Sequence, residues 1–184
     1  GLITLPGKEY LYALHPEYVL TGEIPQTGLT FGDSILTLAM RKYFSQFGFF
    51  PPMNEIYHYP FLCVGWFGLF VTALNLIPVG QLDGGHILYA IIGRGQGIIA
   101  RAFFAVLVLI GLSGFLPFLG WNVQPGTVGW LLWAAILVFI VKLDHPPIGD
   151  DSELDPQRKL LGWVTFFIFI VSFAPIPFFE LSPN

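Results

Sequence analysis

Charge is what this sequence has least of. Only 11% of its 184 residues are charged, whereas 54% are hydrophobic. A soluble domain carries about 25% charged residues, so a soluble globular protein is excluded. Basic residues are the scarcer sign, eight against twelve acidic, for a net charge of −4. That leaves no basic footprint for nucleic acid. A single cysteine, Cys63, excludes a disulfide scaffold. High hydrophobicity with little charge excludes a disordered chain. The opening residues show no basic region or cleavage pattern of a signal peptide. The chain opens at Gly1 rather than at a methionine, and is expected to be a fragment preceded by further sequence. What remains is an all-α, polytopic membrane protein.

The apolar runs set its organisation. Residues 1–60 carry eight charges and six prolines, and are expected to lie outside the bilayer core as an extramembrane connecting segment. One amphipathic helix is expected there, over Ser34–Phe47, with Asp33 or Ser34 as its cap and Gly48 at its end. Leu36, Met40, Tyr43, Phe44 and Phe47 share its apolar face, which either lies on the membrane surface or packs on the protein. Residues 61–184 form the transmembrane domain. As one straight helix, residues 61–93 would be roughly 50 Å long at 1.5 Å per residue, too long for a hydrocarbon core of about 30 Å. Pro78 and Gly80 supply a break. The expectation is four membrane segments: 61–93, broken near residues 78–82, then 102–119, 128–141 and 160–179.

Arg94 and Arg101 mark the 94–101 loop, and Lys142, Arg158 and Lys159 the 142–159 loop. Two spans separate these loops, so they share a side, which the positive-inside rule makes cytoplasmic. Trp66, Trp121, Trp130, Trp133 and Trp163 suit interfacial anchoring or lipid-facing packing.

The chemistry concentrates in Asn75-Leu-Ile-Pro78-Val-Gly80-Gln-Leu-Asp83-Gly84-Gly85-His86. A carboxylate near membrane depth costs about 2.5–3.5 kcal/mol on insertion scales, so an acid placed there is a functional candidate by default. Pro78 and Gly80 free backbone groups from helical bonding, which is tolerated only inside protein or along a cavity. Gly84 and Gly85 remove side chains next to the acid and permit a close approach. These residues outline a polar pocket. Asp83 could ligate a metal, bind a transported ion or proton, or pair with a buried base.

The wording of this stretch resembles the second signature of the site-2 proteases, which are intramembrane zinc metalloproteases. In that family an Asn, a Pro and then Leu-Asp-Gly follow one another in a broken transmembrane helix. Gly65-Trp-Phe-Gly-Leu-Phe-Val-Thr-Ala-Leu resembles the preceding part of that helix, and His145-Pro-Pro, Asp150, Arg158 and the last apolar run resemble the C-terminal region more weakly. The likeness covers residues 55–180 reasonably and 1–54 poorly. It implies that Asp83 is the third protein ligand of a Zn2+ ion, and that Asn75 positions the substrate or the oxyanion. Pro78, Gly80, Gly84 and Gly85 would then form the pocket. A catalytic zinc takes three protein ligands and keeps one open position, and an amide donor beside the carbonyl suits oxyanion stabilisation. The implied substrate is a helix of another membrane protein, met within the lipid bilayer.

The family's His-Glu-x-x-His is missing: the histidines are His15, His58, His86 and His145, and none has a partner four residues on. The motif is expected upstream of Gly1, the alternative being a degenerate homologue. His86 shares a face with Asp83 if the helix continues. Gly93-Arg-Gly-Gln-Gly97 lacks the Lys-Ser/Thr of a phosphate loop and reads as a turn. Asp150, Asp151, Glu153 and Asp155 lack calcium-loop spacing. Two other functions use the same residues: an ion- or proton-coupled transporter or channel built on Asp83, and a non-catalytic scaffold derived from a protease.

Overall fold

The computed structural model describes residues 7–121, 126–143 and 154–181. Among these residues eight α-helices and two short strands follow one another: α1 Lys8–Leu14, α2 Pro16–Thr21, β1 Gly28–Phe31, α3 Ile35–Phe44, α4 Pro60–Asn75, α5 Asp83–Ile92, α6 Gln96–Ser113, α7 Gly129–Ile136, α8 Pro156–Ser172 and β2 Phe178–Leu181. Tighter 3-10 turns occupy Ile56–His58, Gly93–Gly95 and Leu116–Leu119, and a π-helical turn, Leu137–Val141, extends α7.

The first apolar run is broken where proline and glycine stand. Helix α4 ends at Asn75, the chain runs irregularly through 76–82, and α5 starts at Asp83. This irregular stretch lies in the centre of the core: Ile77 and Val79 are fully buried among Ala73, Leu107, Trp130, Ala134, Leu137 and Phe169. Backbone that has left the helix is thus enclosed by protein, the setting that a membrane requires of it.

The outer faces are apolar as well. Phe61, Leu109, Phe139 and Phe167 are all exposed, the inverse of a water-facing surface and suited to lipid. The helical run Asp83–Ser113 is long and apolar enough to cross a membrane, counting its central 3-10 turn, whereas Pro60–Asn75 and Gly129–Val141 are apolar but shorter. Within the long run, Gly93 takes φ +60° and ψ −133°, a conformation open to glycine, and α5 packs against α6. Small residues let α6 and α7 approach: a Cβ on Gly114 would lie 2.6 Å from the backbone nitrogen of Val128, and one on Gly111 2.7 Å from the Leu131 side chain.

The structure corrects the sequence expectations in four places. The fold is mostly helical, but β1 and β2 pair antiparallel with Phe31 opposite Phe178, so it is not purely α. The last apolar helix runs 156–172 rather than 160–179: Pro175 and Pro177 lack the N–H that a helix needs, and Phe178 and Phe179 join the sheet instead. Arg101 belongs to α6 rather than to a loop, because the turn after α5 is confined to Gly93–Gly95. Helix α3 ends at Phe44, three residues early; of its two expected caps Ser34 is the one used: Thr37 N–H donates to Ser34 Oγ, and Ser34 N–H to Thr37 Oγ1. Asp33 pairs with Arg41 at 2.7 Å. Most of the 142–159 loop, with His145 and Asp150, lies outside the described residues.

A small aromatic cluster pins the sheet to α4. Trp66 stacks on Phe70, meets Phe31 edge to face, and donates its Nε1–H to the Gly32 carbonyl at 2.9 Å. An apolar cavity of about 500 Å³ lies between α3 and the first half of α4, lined by Leu36, Met40, Phe61, Leu62, Trp66 and Leu69 among others. Helix α3 therefore turns part of its apolar face inward, while Tyr43 and Phe47 remain exposed.

Candidate active site

The break between α4 and α5 positions the predicted residues. Asn75 is the last residue of α4 and Asp83 the first of α5, and both are exposed, whereas Leu76 to Gly80 between them are buried. The chain thus leaves α4 at one exposed polar residue, passes through the core, and enters α5 at another. Within the dip, Val79 N–H donates to the Ile77 carbonyl at 2.8 Å, Leu82 N–H to the Val79 carbonyl at 3.3 Å, and Gly80 N–H to the Leu143 carbonyl at 3.1 Å. Its backbone groups are therefore largely satisfied, as buried ones must be.

The glycines have specific tasks here. Gly80 takes φ +58°, and its Cα faces the Lys142 carbonyl so closely that a Cβ would collide with it. Lys142 itself sits at φ +63°, the one non-glycine residue with positive φ among the described residues. At Gly84 a Cβ would run into the carbonyls of Leu76 and Ile77, and at Gly85 into those of Val79 and Gly80. What approaches Gly84 and Gly85 is thus the chain's own dipping backbone, seated under the first turn of α5. On the other side of α5, Gly162 of α8 leaves room for Ile87 and Ile91.

Asp83 is the first residue of α5, at the positive end of its dipole. Among the described residues no ion pair reaches it. Its carboxylate is an oxygen donor of the kind zinc accepts. His86 is exposed one turn along the same helix. The two do not belong to a three-donor group: among the described residues only His15, Glu55 and His58 bring three such donors together. Asp83 therefore fits as one ligand of a metal centre, and the described residues supply no further two.

That His15–Glu55–His58 group went unread in the sequence. The fold closes 43 residues to place His15 Nε2 3.0 Å from His58 Nε2. His58 Nε2 lies 3.5 Å from Glu55 Oε2. Glu55 is 2% exposed, and its other oxygen accepts from Tyr18 Oη at 3.1 Å and Asn54 Nδ2 at 3.0 Å. Burial and the Glu55 charge push the Tyr18 phenol up to about 12, so it stays a neutral donor to that carboxylate at ordinary pH. The Glu55 and His58 spacing of three residues was the only local signal; His15 is brought in by the α1–α2 corner.

Comparison with known proteins bears on the same stretch. The family model for Peptidase family M50 matches residues 45–116, which include Asn75 and Asp83. The probable zinc metalloprotease EGY1, chloroplastic, of Arabidopsis thaliana is 29% identical over 119 residues, 64% of this chain and 20% of that protein. The probable zinc metalloprotease EGY3, chloroplastic, of Oryza sativa subsp. indica is 29% identical over 117 residues, 63% of this chain and 18% of that protein. The probable zinc metallopeptidase EGY3, chloroplastic, of Arabidopsis thaliana is 32% identical over 134 residues, 66% of this chain and 22% of that protein. The chain thus spans about a fifth of the length of these relatives. No solved structure matches it.

Proposed function

Starting from a chain homologous to the site-2 proteases of Peptidase family M50, we propose that it forms part of an intramembrane zinc metalloprotease that hydrolyses peptide bonds in or near transmembrane helices of membrane-protein substrates. The observation that carries this reading is the break at 76–82, buried through residue 80, which ends α4 at an exposed Asn75 and starts α5 at an exposed Asp83 that no ion pair reaches among the described residues. Asp83 is the carboxylate ligand, and two histidines from another segment complete the set of three that a catalytic zinc takes. When bound, zinc polarises the scissile carbonyl and lowers the pKa of water.

The chain's own residues do the rest. Asp83, at the head of α5, would present its carboxylate to the metal. The Asn75 amide donates to the substrate carbonyl oxygen as negative charge develops on it. Pro78, Gly80, Gly84 and Gly85 hold the dip that fixes the spacing between these two groups. A substrate helix must open locally before its carbonyl can react, and the polar edge offers partners for its freed backbone groups.

Residues 60–172 cross the membrane in four segments, and Arg94, Arg101, Arg158 and Lys159 lie on the cytoplasmic side. The test is cleavage of a single-span reporter by the full protein reconstituted with zinc. Asp83→Ala abolishes cleavage on this reading; undiminished turnover rejects it.

A further inference from the structure

We propose that His15, Glu55 and His58 form a second metal site, of zinc type, that staples the α1–α2 corner to the head of α4. The three donors come from separate local structures: His15 from the α1–α2 junction, Glu55 from the turn before the 3-10 segment, and His58 from its end. His15 Nε2 and His58 Nε2 are 3.0 Å apart, His58 Nε2 and Glu55 Oε2 are 3.5 Å apart, and all three donors lie within 4.8 Å of one another. Two ligands on a tetrahedral zinc at about 2.0–2.1 Å stand roughly 3.3 Å from each other. The cluster is close to coordination geometry with no ion present to organise it.

The proton count points the same way. His15 Nδ1 donates to Glu17 Oε1 at 3.0 Å, which makes His15 Nε2 a bare acceptor in the neutral ring. Glu55 Oε2 is buried and has no hydrogen-bond partner among the described residues, although Glu55 Oε1 has two. Only His58 Nε2 can carry a proton between these two acceptors, and one proton cannot serve both. A divalent cation satisfies all three donors at once. An orphaned buried carboxylate oxygen is otherwise destabilising.

The outer contacts are those of a metal site. A ligating histidine usually passes its other ring N–H to a carboxylate, as His15 does to Glu17, and ligating carboxylates are themselves hydrogen-bonded, as Glu55 is by Tyr18 and Asn54. Two imidazoles and one carboxylate select zinc or a neighbouring transition metal over magnesium or calcium. The site stands at the N-terminal end of α4 and Asn75 at its C-terminal end, roughly 22 Å away at 1.5 Å per residue. The two centres therefore flank opposite ends of α4 and share no ligand.

The test is zinc content per chain of the full protein purified in detergent. The variant His15→Gln/His58→Gln is expected to hold one zinc fewer than wild type, and one fewer again when both are compared in an Asp83→Ala background. That second comparison keeps the result independent of the proposed catalytic zinc. Equal zinc content in a folded histidine variant overturns the proposal. Should the double variant fail to fold, Glu17→Ala replaces it, because Glu17 is on the surface. Its zinc is expected to be held ~10–100-fold more weakly in competition with a chelator, and unchanged affinity overturns the site.

Discussion

The backbone N–H of Gly80 donates to the carbonyl of Leu143 at 3.1 Å, which ties the dip after α4 to the chain leaving α7. Gly80 manages this at φ +58°, with the Lys142 carbonyl pressed against its Cα. An alanine there is strained by about 1–2 kcal/mol for the left-handed conformation, before its Cβ meets that carbonyl. Gly80→Ala is therefore expected to lower stability by at least 2 kcal/mol, read as a lowered unfolding midpoint in detergent. An unchanged midpoint would mean that the Gly80–Leu143 contact does not hold the dip.

Gly84→Ala and Asp83→Asn separate the seat of α5 from its chemistry. Asp83 is exposed, so Asp83→Asn is expected to change stability by less than about 0.5 kcal/mol while removing cleavage. Gly84→Ala forces α5 away from the Leu76 and Ile77 carbonyls. A displacement of about 1 Å can cost roughly 100-fold in rate, so this variant is expected to lose both stability and at least that much activity. Parallel melting and reporter cleavage check the pair. A Gly84→Ala protein as active as wild type would show that the tight seat under α5 does not position Asp83.

How much of this was written in the sequence differs by element. Pro78, Gly80 and the unbroken apolar run before them announce a helical break, because proline and glycine act locally on the backbone. Asn75 and Asp83 were legible for a similar reason: a polar residue in an apolar run is conspicuous wherever it folds. The β1–β2 pair was not legible, since Gly28–Phe31 and Phe178–Leu181 are four residues each and gain meaning only when 150 residues of chain bring them together. His15 and His58 were hidden in the same way. The one local signal was Glu55 three residues before His58, and only the fold of α1 and α2 onto the head of α4 joins His15 to that pair. The task of Gly84 and Gly85 was half legible: glycine signals a close approach, but not that the approaching group is the carbonyl backbone of residues 76–80.

Trp66 is the hinge pin between α4 and the sheet. Its Nε1–H donates to the Gly32 carbonyl at 2.9 Å, and Trp66 is 5% exposed within its cluster of Phe31, Phe70 and Phe178. Trp66→Phe keeps most of the ring packing but leaves a carbonyl without its donor. The expected cost is about 1–3 kcal/mol from the unsatisfied group together with the lost ring volume. Increased hydrogen exchange at Gly28–Phe31 would accompany it, because the sheet is held to α4 at this point. Protection unchanged across β1 would place the anchor elsewhere.

Asn75 carries the most direct prediction about the reaction. It ends α4 with its side chain exposed, so Asn75→Ala removes an amide without opening a cavity, and stability should move by less than about 0.5 kcal/mol. An amide that meets the carbonyl oxygen mainly as charge develops on it contributes to the transition state and not to substrate binding. Removing one such donor costs about 100–1000-fold in kcat. The expected result is a fall of that size in kcat with KM nearly unchanged, and with zinc content unchanged, since Asn75 is not a ligand. A rise in KM at constant kcat would instead make Asn75 a binding residue for the substrate backbone. Wild-type values for both would remove it from the site and leave Asp83 as the only residue of the dip with a part in cleavage.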